Sequence, residues 1–228
     1  MKNTVIAIDG HAGAGKGTVA QKVAEKLNFL YVDTGAMYRA VTLCIYEKKV
    51  DINNMSAVCS ILKNCKIEFK IEEGVQQVFL NERNVSDDIR NICVSSLVAP
   101  VSAIHSVRNH LVEVQKNFVN YNNLVMEGRD IGTNVYPDAD LKIFLTATLE
   151  ERARRRQNQW KEKGIFEDFE RIKEDISHRD LIDSTRPDNP LKKAADAVLI
   201  ESDNMSIEEV VEKIIDLFEN RKTKKEES

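Results

Sequence analysis

Residues 10–18 read GHAGAGKGT and follow directly on the run Thr4-Val5-Ile6-Ala7-Ile8. Four of the chain's nine glycines fall in those nine positions, all beside one lysine, Lys16. Glycine weakens helices and strands, so such a cluster marks a backbone that turns sharply or lies close to another group. The β-branched run Val5 to Ile8 predicts a buried strand. From Lys16 the pattern changes: Val19, Ala20, Val23, Ala24 and Leu27 recur at three and four residues, the spacing of a helix with one apolar face. Phe29 to Val32 predicts a second buried strand, ended by Asp33-Thr34-Gly35. Strand, glycine loop, helix, strand is a βαβ unit, which implies a parallel sheet.

Three later runs repeat the strand signal: Asn123 to Met126, Leu141 to Leu145 and Ala197 to Ile200. Together they predict an α/β fold with a five-stranded parallel sheet separated by helical stretches. A last helix is expected from Ser206, with that residue as N-cap and Glu208-Glu209 in the first turn. Residues 221–228 are highly charged and read as a disordered tail. The middle of the chain differs. KIEFKI (66–71) and QQVFLN (76–81) alternate apolar and polar residues around Glu72-Glu73-Gly74, which predicts an antiparallel hairpin within a small insertion at roughly 60–95.

A length of 228 residues suits one α/β domain with an insertion. The net charge of -4 argues against a general nucleic-acid binder, so an anionic ligand must be held by a local basic cluster. The apolar stretch at the N-terminus is too short for a signal peptide or membrane span, so a cytoplasmic protein is expected. Cys44, Cys59, Cys65 and Cys93 form no CxxC pair and read as reduced, mostly buried thiols.

The spacing Gly10-x4-Gly15-Lys16 is the core of a phosphate-binding loop. Through Gly10, His11, Ala12, Gly13, Ala14 and Gly15, successive backbone N–H groups curl around an anion. The following helix aims its free N–H donors and positive dipole end at the same place. Lys16 then reaches the β- and γ-phosphates. Gly17 stands where a magnesium-binding hydroxyl is usual, and the hydroxyl comes one position later at Thr18. GKGT resembles the nucleoside monophosphate kinases. No Asn-Lys-x-Asp occurs, so a guanine-specific GTPase loses its main support.

A kinase needs an acceptor site. Asp33-Thr34-Gly35-Ala36-Met37-Tyr38-Arg39 follows the second strand and Glu127-Gly128-Arg129-Asp130 the third. Parallel strands deliver their C-terminal ends to one sheet edge, where ligands bind. Topology is therefore expected to gather Asp33, Arg39, Arg129 and Asp130 near the glycine loop.

GHAGAGKGT, DTGAMYRA, MEGRDIGTNVYPDADLKIFLTAT and HRDLIDSTRPDNPL, in this order, resemble the bacterial cytidylate kinase family over residues 4–218. The resemblance implies transfer of the γ-phosphoryl of ATP, with Mg2+, to CMP or dCMP in pyrimidine nucleotide metabolism. It implies a P-loop core (about 1–59, 96–149 and 165–220), an NMP-binding insertion (about 60–95) and a short arginine-bearing lid (about 150–164). By motif, Asp33, Thr34 and Arg39 hold the acceptor monophosphate. Arg108, Arg129 and Asp130 bind its phosphate, base or sugar, and Arg179, Asp183 and Arg186 complete the pentose and phosphate contacts. Lys16, Arg129, Asp130, Arg179 and Arg186 would carry catalysis, with Thr18 as the metal-side hydroxyl. His11 and Ala12 replace the family's usual Pro-Ser, and His105 replaces a usual proline.

Phosphoryl transfer needs two anionic reactants held together and their charge neutralised, which suits arginine. The segment Glu150-Glu151-Arg152-Ala153-Arg154-Arg155-Arg156 has two readings. It is a solvated helix with Glu150–Arg154 and Glu151–Arg155 pairs, or a lid that brings Arg152 and Arg156 over the phosphates. Trp160 reads as packing. The rival readings are a kinase for another acceptor such as UMP or AMP, and a non-catalytic nucleotide-sensing module. A monomer is expected.

Overall fold

The computed structural model describes residues 3–72, 75–120, 122–162 and 164–226. The chain divides into two compact units, Met1–Asp33 with Lys116–Ser228, and Thr34–Gln115.

The first unit contains β1 (Val5–Gly10), α1 (Lys16–Leu27) and β2 (Leu30–Asp33). After the second unit the chain returns with β6 (Leu124–Gly128), β7 (Leu141–Thr146), α6 (Leu149–Glu162), α7 (Phe169–Thr185), β8 (Val198–Glu201) and α8 (Ile207–Glu226). Its five strands are ordered β2-β6-β1-β7-β8. All pairs are parallel, with Ile6 opposite Val125 and Leu141. Strands β1, β6 and β7 are covered on both faces, which is why they are continuous apolar runs rather than alternating ones. Ile6, Ile8, Val125, Ile143 and Leu145 pack against Val19, Ala20, Val23 and Ala24 of α1 and Val210, Val211 and Ile214 of α8. The apolar face expected for α1 is thus the buried one, with Leu27 partly buried beside it.

Helix α8 starts at a reciprocal capping box. Glu209 N donates to Ser206 Oγ (3.2 Å), and Ser206 N donates to the Glu209 carboxylate (2.7 Å). The segment 221–228, expected as a disordered tail, is helical through Glu226. Arg221 anchors it by donating to the Asp140 and Asp196 carbonyls (3.2 and 3.3 Å). Residues 227 and 228 lie outside the described residues.

The second unit contains α2 (Thr34–Glu47), α3 (Met55–Lys63), β3 (Ile67–Glu72), β4 (Val75–Leu80), β5 (Arg83–Asn84), α4 (Ile92–Ser102) and the start of α5 (His105–Asn117). The hairpin is present as β3 and β4, antiparallel, with Phe69 opposite Val78 and Glu72 opposite Val75. Glu73 and Gly74 of its turn lie outside the described residues. The unit is wider than the expected insertion at 60–95, because α2 and α4 pack together and α2 also meets α3 and β4. Of the four reduced cysteines, Cys44 and Cys65 are buried, whereas Cys93 is exposed. Among the described residues, no helix is long and apolar enough to cross a membrane.

Candidate active site

The glycine loop joins β1 to α1. A Cβ at Gly10 would lie 1.9 Å from the Leu145 carbonyl oxygen, so β7 leaves room for glycine alone there. Gly15, at φ 85, precedes α1, and no side chain caps that helix. Its first N–H donors and its dipole therefore face the loop without a competing side chain, the arrangement that binds phosphate. Gly17 has its own reason. A Cβ there would meet Glu127 Oε1 at 3.0 Å and the Tyr31 hydroxyl at 3.4 Å. The Glu127 and Tyr31 side chains would have to shift to admit a side chain after the lysine, and Thr18 is exposed one position on.

Lys16 is 5% exposed, and its Nζ donates to the His11 carbonyl at 2.8 Å. Burial, together with Arg129 and Arg179, pushes its pKa down to about 7 against the pull of Glu127 and Asp183. Three cations thus converge at the loop, a cluster that an anion relieves. His11 packs edge-on against Phe144 (5.6 Å between centroids) with Nδ1 3.2 Å from Thr146 Oγ1. Burial holds its pKa below the ordinary value.

The segment after β6 is clamped from below by β1. The two carboxylate oxygens of Asp9 accept from Ile131 N and Gly132 N, each at 2.8 Å. Burial, opposed by these bonds, raises the Asp9 pKa to about 6. Ile131–Val135 then forms one wide helical turn, in which Val135 N donates to the Asp130 carbonyl (3.2 Å) and Tyr136 N to the Ile131 carbonyl (2.7 Å). Such turns mark functional segments more often than ordinary helix does.

Around that turn the expected residues Arg129, Asp130, Asp183 and Arg186 form one network. Arg129 Nε donates to Asp183 Oδ2 at 2.8 Å, and Arg186 Nη2 donates to Asp130 Oδ1 at 3.2 Å. Arg186 Nη1 lies 3.7 Å from Asp183 Oδ1. Burial pushes the Asp183 carboxyl up, but Arg129, Arg179 and Arg186 outweigh it and hold its pKa below the usual range. Within this network Asp183 is the anion that gathers the guanidinium groups.

The two arginines read as lid contacts have protein partners here. Arg152, read as a lid contact, has a nearly buried side chain that bonds to the Ala12 and Ala147 carbonyls, each at 3.0 Å, and to Asp180. Arg156 lies over Trp160, 5.9 Å from the ring centroid, with Nη1 3.4 Å from Gln159 Oε1. Trp160 packs with Ala153, Ile172 and Ile176, as expected of a packing residue. The Glu151–Arg155 pair forms at 3.0 Å, whereas Glu150 pairs with Lys173 of α7 rather than with Arg154, which bonds to Glu151. Asp9, Glu127, Arg155 and Asp180 were not among the expected site residues, yet each touches the loop or its neighbours. Arg155 Nη2 donates to the Ser202 carbonyl (2.7 Å) and Nη1 to the Ala14 carbonyl (3.5 Å). Asp9 had a signal, a carboxylate ending an otherwise apolar strand.

Asp33 ends β2, in register with Glu127 of β6. In the second unit, Thr34 opens α2 and is buried, and Arg39 is half-buried on the same helix. Arg108 is 1% exposed. Its guanidinium stacks over the Tyr38 ring (5.6 Å), and Nη1 donates to the Ser102 carbonyl (3.3 Å). A guanidinium so deeply buried is costly unless anions or dipoles face it. Among the described residues, no group of three or more His, Cys, Asp or Glu is placed to hold a metal ion.

The family model and the curated relatives agree on one family. The family model described as cytidylate kinase matches residues 6–220. A cytidylate kinase of Caldicellulosiruptor saccharolyticus is 46% identical over 96% of this chain and 96% of its own. A bifunctional pantoate ligase/cytidylate kinase of Trichormus variabilis is 46% identical over 96% of this chain, which spans 42% of that protein's length. The crystal structure of an uncharacterized protein from Eubacterium ventriosum shares the fold at TM-score 0.52 and 13% identity, covering 96% of this chain and 99% of that one. The glycine loop and the arginine network thus occur in a chain that belongs to the cytidylate kinase family.

Proposed function

We propose that this protein transfers the γ-phosphoryl group of ATP to CMP or dCMP, giving ADP and CDP or dCDP, in cytoplasmic pyrimidine nucleotide metabolism. The observation that carries the reading is the buried network of Arg129, Asp183, Arg186 and Asp130 in the same unit as the glycine loop and its uncapped helix. The loop from Gly10 to Thr18 holds the triphosphate, and Lys16 bonds its outer oxygens. These residues fit a magnesium nucleotide, since Mg2+ is usually held by substrate phosphates and water with few protein ligands. The Thr18 hydroxyl would face such an ion, which would supply neutralisation of the phosphate charge.

Asp33, Thr34, Arg39 and Arg108 serve the acceptor nucleotide, as do Arg179, Asp130 and the Arg129–Asp183–Arg186 network. Guanidinium forks onto phosphate oxygens and never loses its charge at working pH. Two unit charges 4 Å apart interact by about 4 kcal/mol at an effective dielectric near 20, so a few such contacts offset much of the repulsion between the anions. The attacking group is a phosphate oxygen already ionised near pH 7, so no general base is required. Arg156 of α6 serves the lid, which excludes water as a competing acceptor.

Replacing Arg129 separates the two substrates. Arg129→Ala should lower kcat/KM for CMP about a hundredfold, the scale of one lost charge-stabilising donor. The dissociation constant for ATP should change less than about threefold, by the same assignment to the acceptor. Loss confined to ATP binding would place Arg129 on the donor side and contradict the assignment.

A further inference from the structure

Ala12 sits in the middle of the glycine loop and is 3% exposed. Its peptide is gripped on both sides. Ala12 N donates to Asp180 Oδ1 at 3.3 Å, and Arg152 Nη1 donates to the Ala12 carbonyl at 3.0 Å. Arg152 and Asp180 are themselves an ion pair, with side chains 8% and 14% exposed. The same guanidinium donates through Nε to the Ala147 carbonyl, just before α6. The backbone of α6 is also close: a Cβ at Gly13 would lie 3.2 Å from the Arg152 carbonyl oxygen. The loop is therefore seated on α6 and α7 through one shared pair of charged side chains.

Helix α7 carries this grip further. Asp180 and Asp183 are three residues apart and so lie on one helical face. Asp180 holds the glycine loop, and Asp183 holds Arg129 at 2.8 Å. One helix thus ties the ATP side of the site to the arginine network. Arg179, directly before Asp180 in sequence, contributes to the lowered pKa of Lys16.

We propose that Arg152 and Asp180 are positioning residues that set the shape of the glycine loop, and with it the affinity for the ATP polyphosphate. The proposal rests on reading that loop as the ATP site. Neither side chain bonds phosphate in this account; both act through the Ala12 peptide. Removing one partner of a buried, hydrogen-bonded pair leaves the other charge uncompensated, so each single change should disturb the loop.

The experiment measures ATP and ADP binding directly, by titration calorimetry without acceptor, alongside steady-state kinetics and thermal melting. Wild-type protein that failed to bind ATP would overturn the ATP-site reading itself, separately from the present proposal. If it binds, Asp180→Asn and Arg152→Lys should each weaken ATP by about tenfold, the effect of losing one hydrogen bond to a charged group. The KM for CMP should stay within about twofold, since no acceptor contact is removed. Arg152→Lys keeps the charge but cannot bond Ala12, Ala147 and Asp180 together, so charge retention should not rescue binding. The double variant Arg152→Met with Asp180→Asn should weaken ATP no more than either single change, because the two residues act as one unit. Unchanged ATP affinity in both single variants would overturn the proposal. So would equal losses for ATP and CMP accompanied by a lowered melting temperature, which would mark the pair as general packing.

Discussion

Asp9 sets the Arg129–Asp130 segment by accepting two backbone N–H bonds at the end of β1. Its burial has a thermodynamic signature. The folded pKa is about 6 against an ordinary 3.8, so between roughly pH 4 and pH 6 the folded chain holds more protons than the unfolded one. Stability from this group is fully present below pH 4 and falls as pH rises through 6, by on the order of 3 kcal/mol. Asparagine does not titrate. The unfolding free energy of the wild type minus that of Asp9→Asn should therefore fall between pH 4.5 and pH 7, as measured by urea titration. A difference that does not vary with pH would contradict the assignment. Lys16 and Asp130 face the same carboxylate, and both are present in the variant, so the comparison isolates Asp9.

At the scale of elements, local chemistry decides where helices begin. Asp168 caps α7 by accepting from Glu170 N and Arg171 N, and Ser206 with Glu209 caps α8. By contrast α1 begins at a glycine with no side-chain cap, which leaves its donors to the phosphate loop. Ser206→Ala should cost about 1 kcal/mol of stability, measured by chemical denaturation, because the hydroxyl that accepts from Glu209 N and donates to the Glu209 carboxylate is lost at an exposed helix start. A change below about 0.2 kcal/mol would show that packing of α8 on α1 makes the cap redundant. Much at this scale was legible beforehand. All five parallel strands lie where short apolar runs stand, and the hairpin lies where apolar and polar residues alternate. The orientation of α6 was not legible. Four of its residues are arginines within five positions, and only the packing against Gly13 and Asp180 shows that Arg152 turns toward the loop while Arg156 turns toward Trp160.

At the scale of the molecule, three sequence segments far apart in the chain come together in the first unit. The glycine loop, the Arg129–Asp130 segment and α7 meet in the first unit because parallel strands deliver their ends to one edge. Asp9, Glu127, Arg155 and Asp180 were not singled out as site residues, because they hold backbone or neighbouring side chains. Carboxylates that bind peptide N–H groups leave no spacing signature, since their partners are set by the fold. The extent of the second unit was hidden for a related reason. The apolar faces of α2 and α4 look like those of core helices until their packing partners are known.

The central claim is that one site unites an ATP-binding loop with an arginine network for a cytidine monophosphate. Its most direct test is ADP release from ATP and magnesium with CMP, dCMP, UMP, AMP and GMP offered separately, each against a control without acceptor. Turnover concentrated on CMP and dCMP, well above the control, is the predicted result. ATP binding with no turnover on any of the five would contradict the claim and leave the glycine loop serving another acceptor or a sensing role.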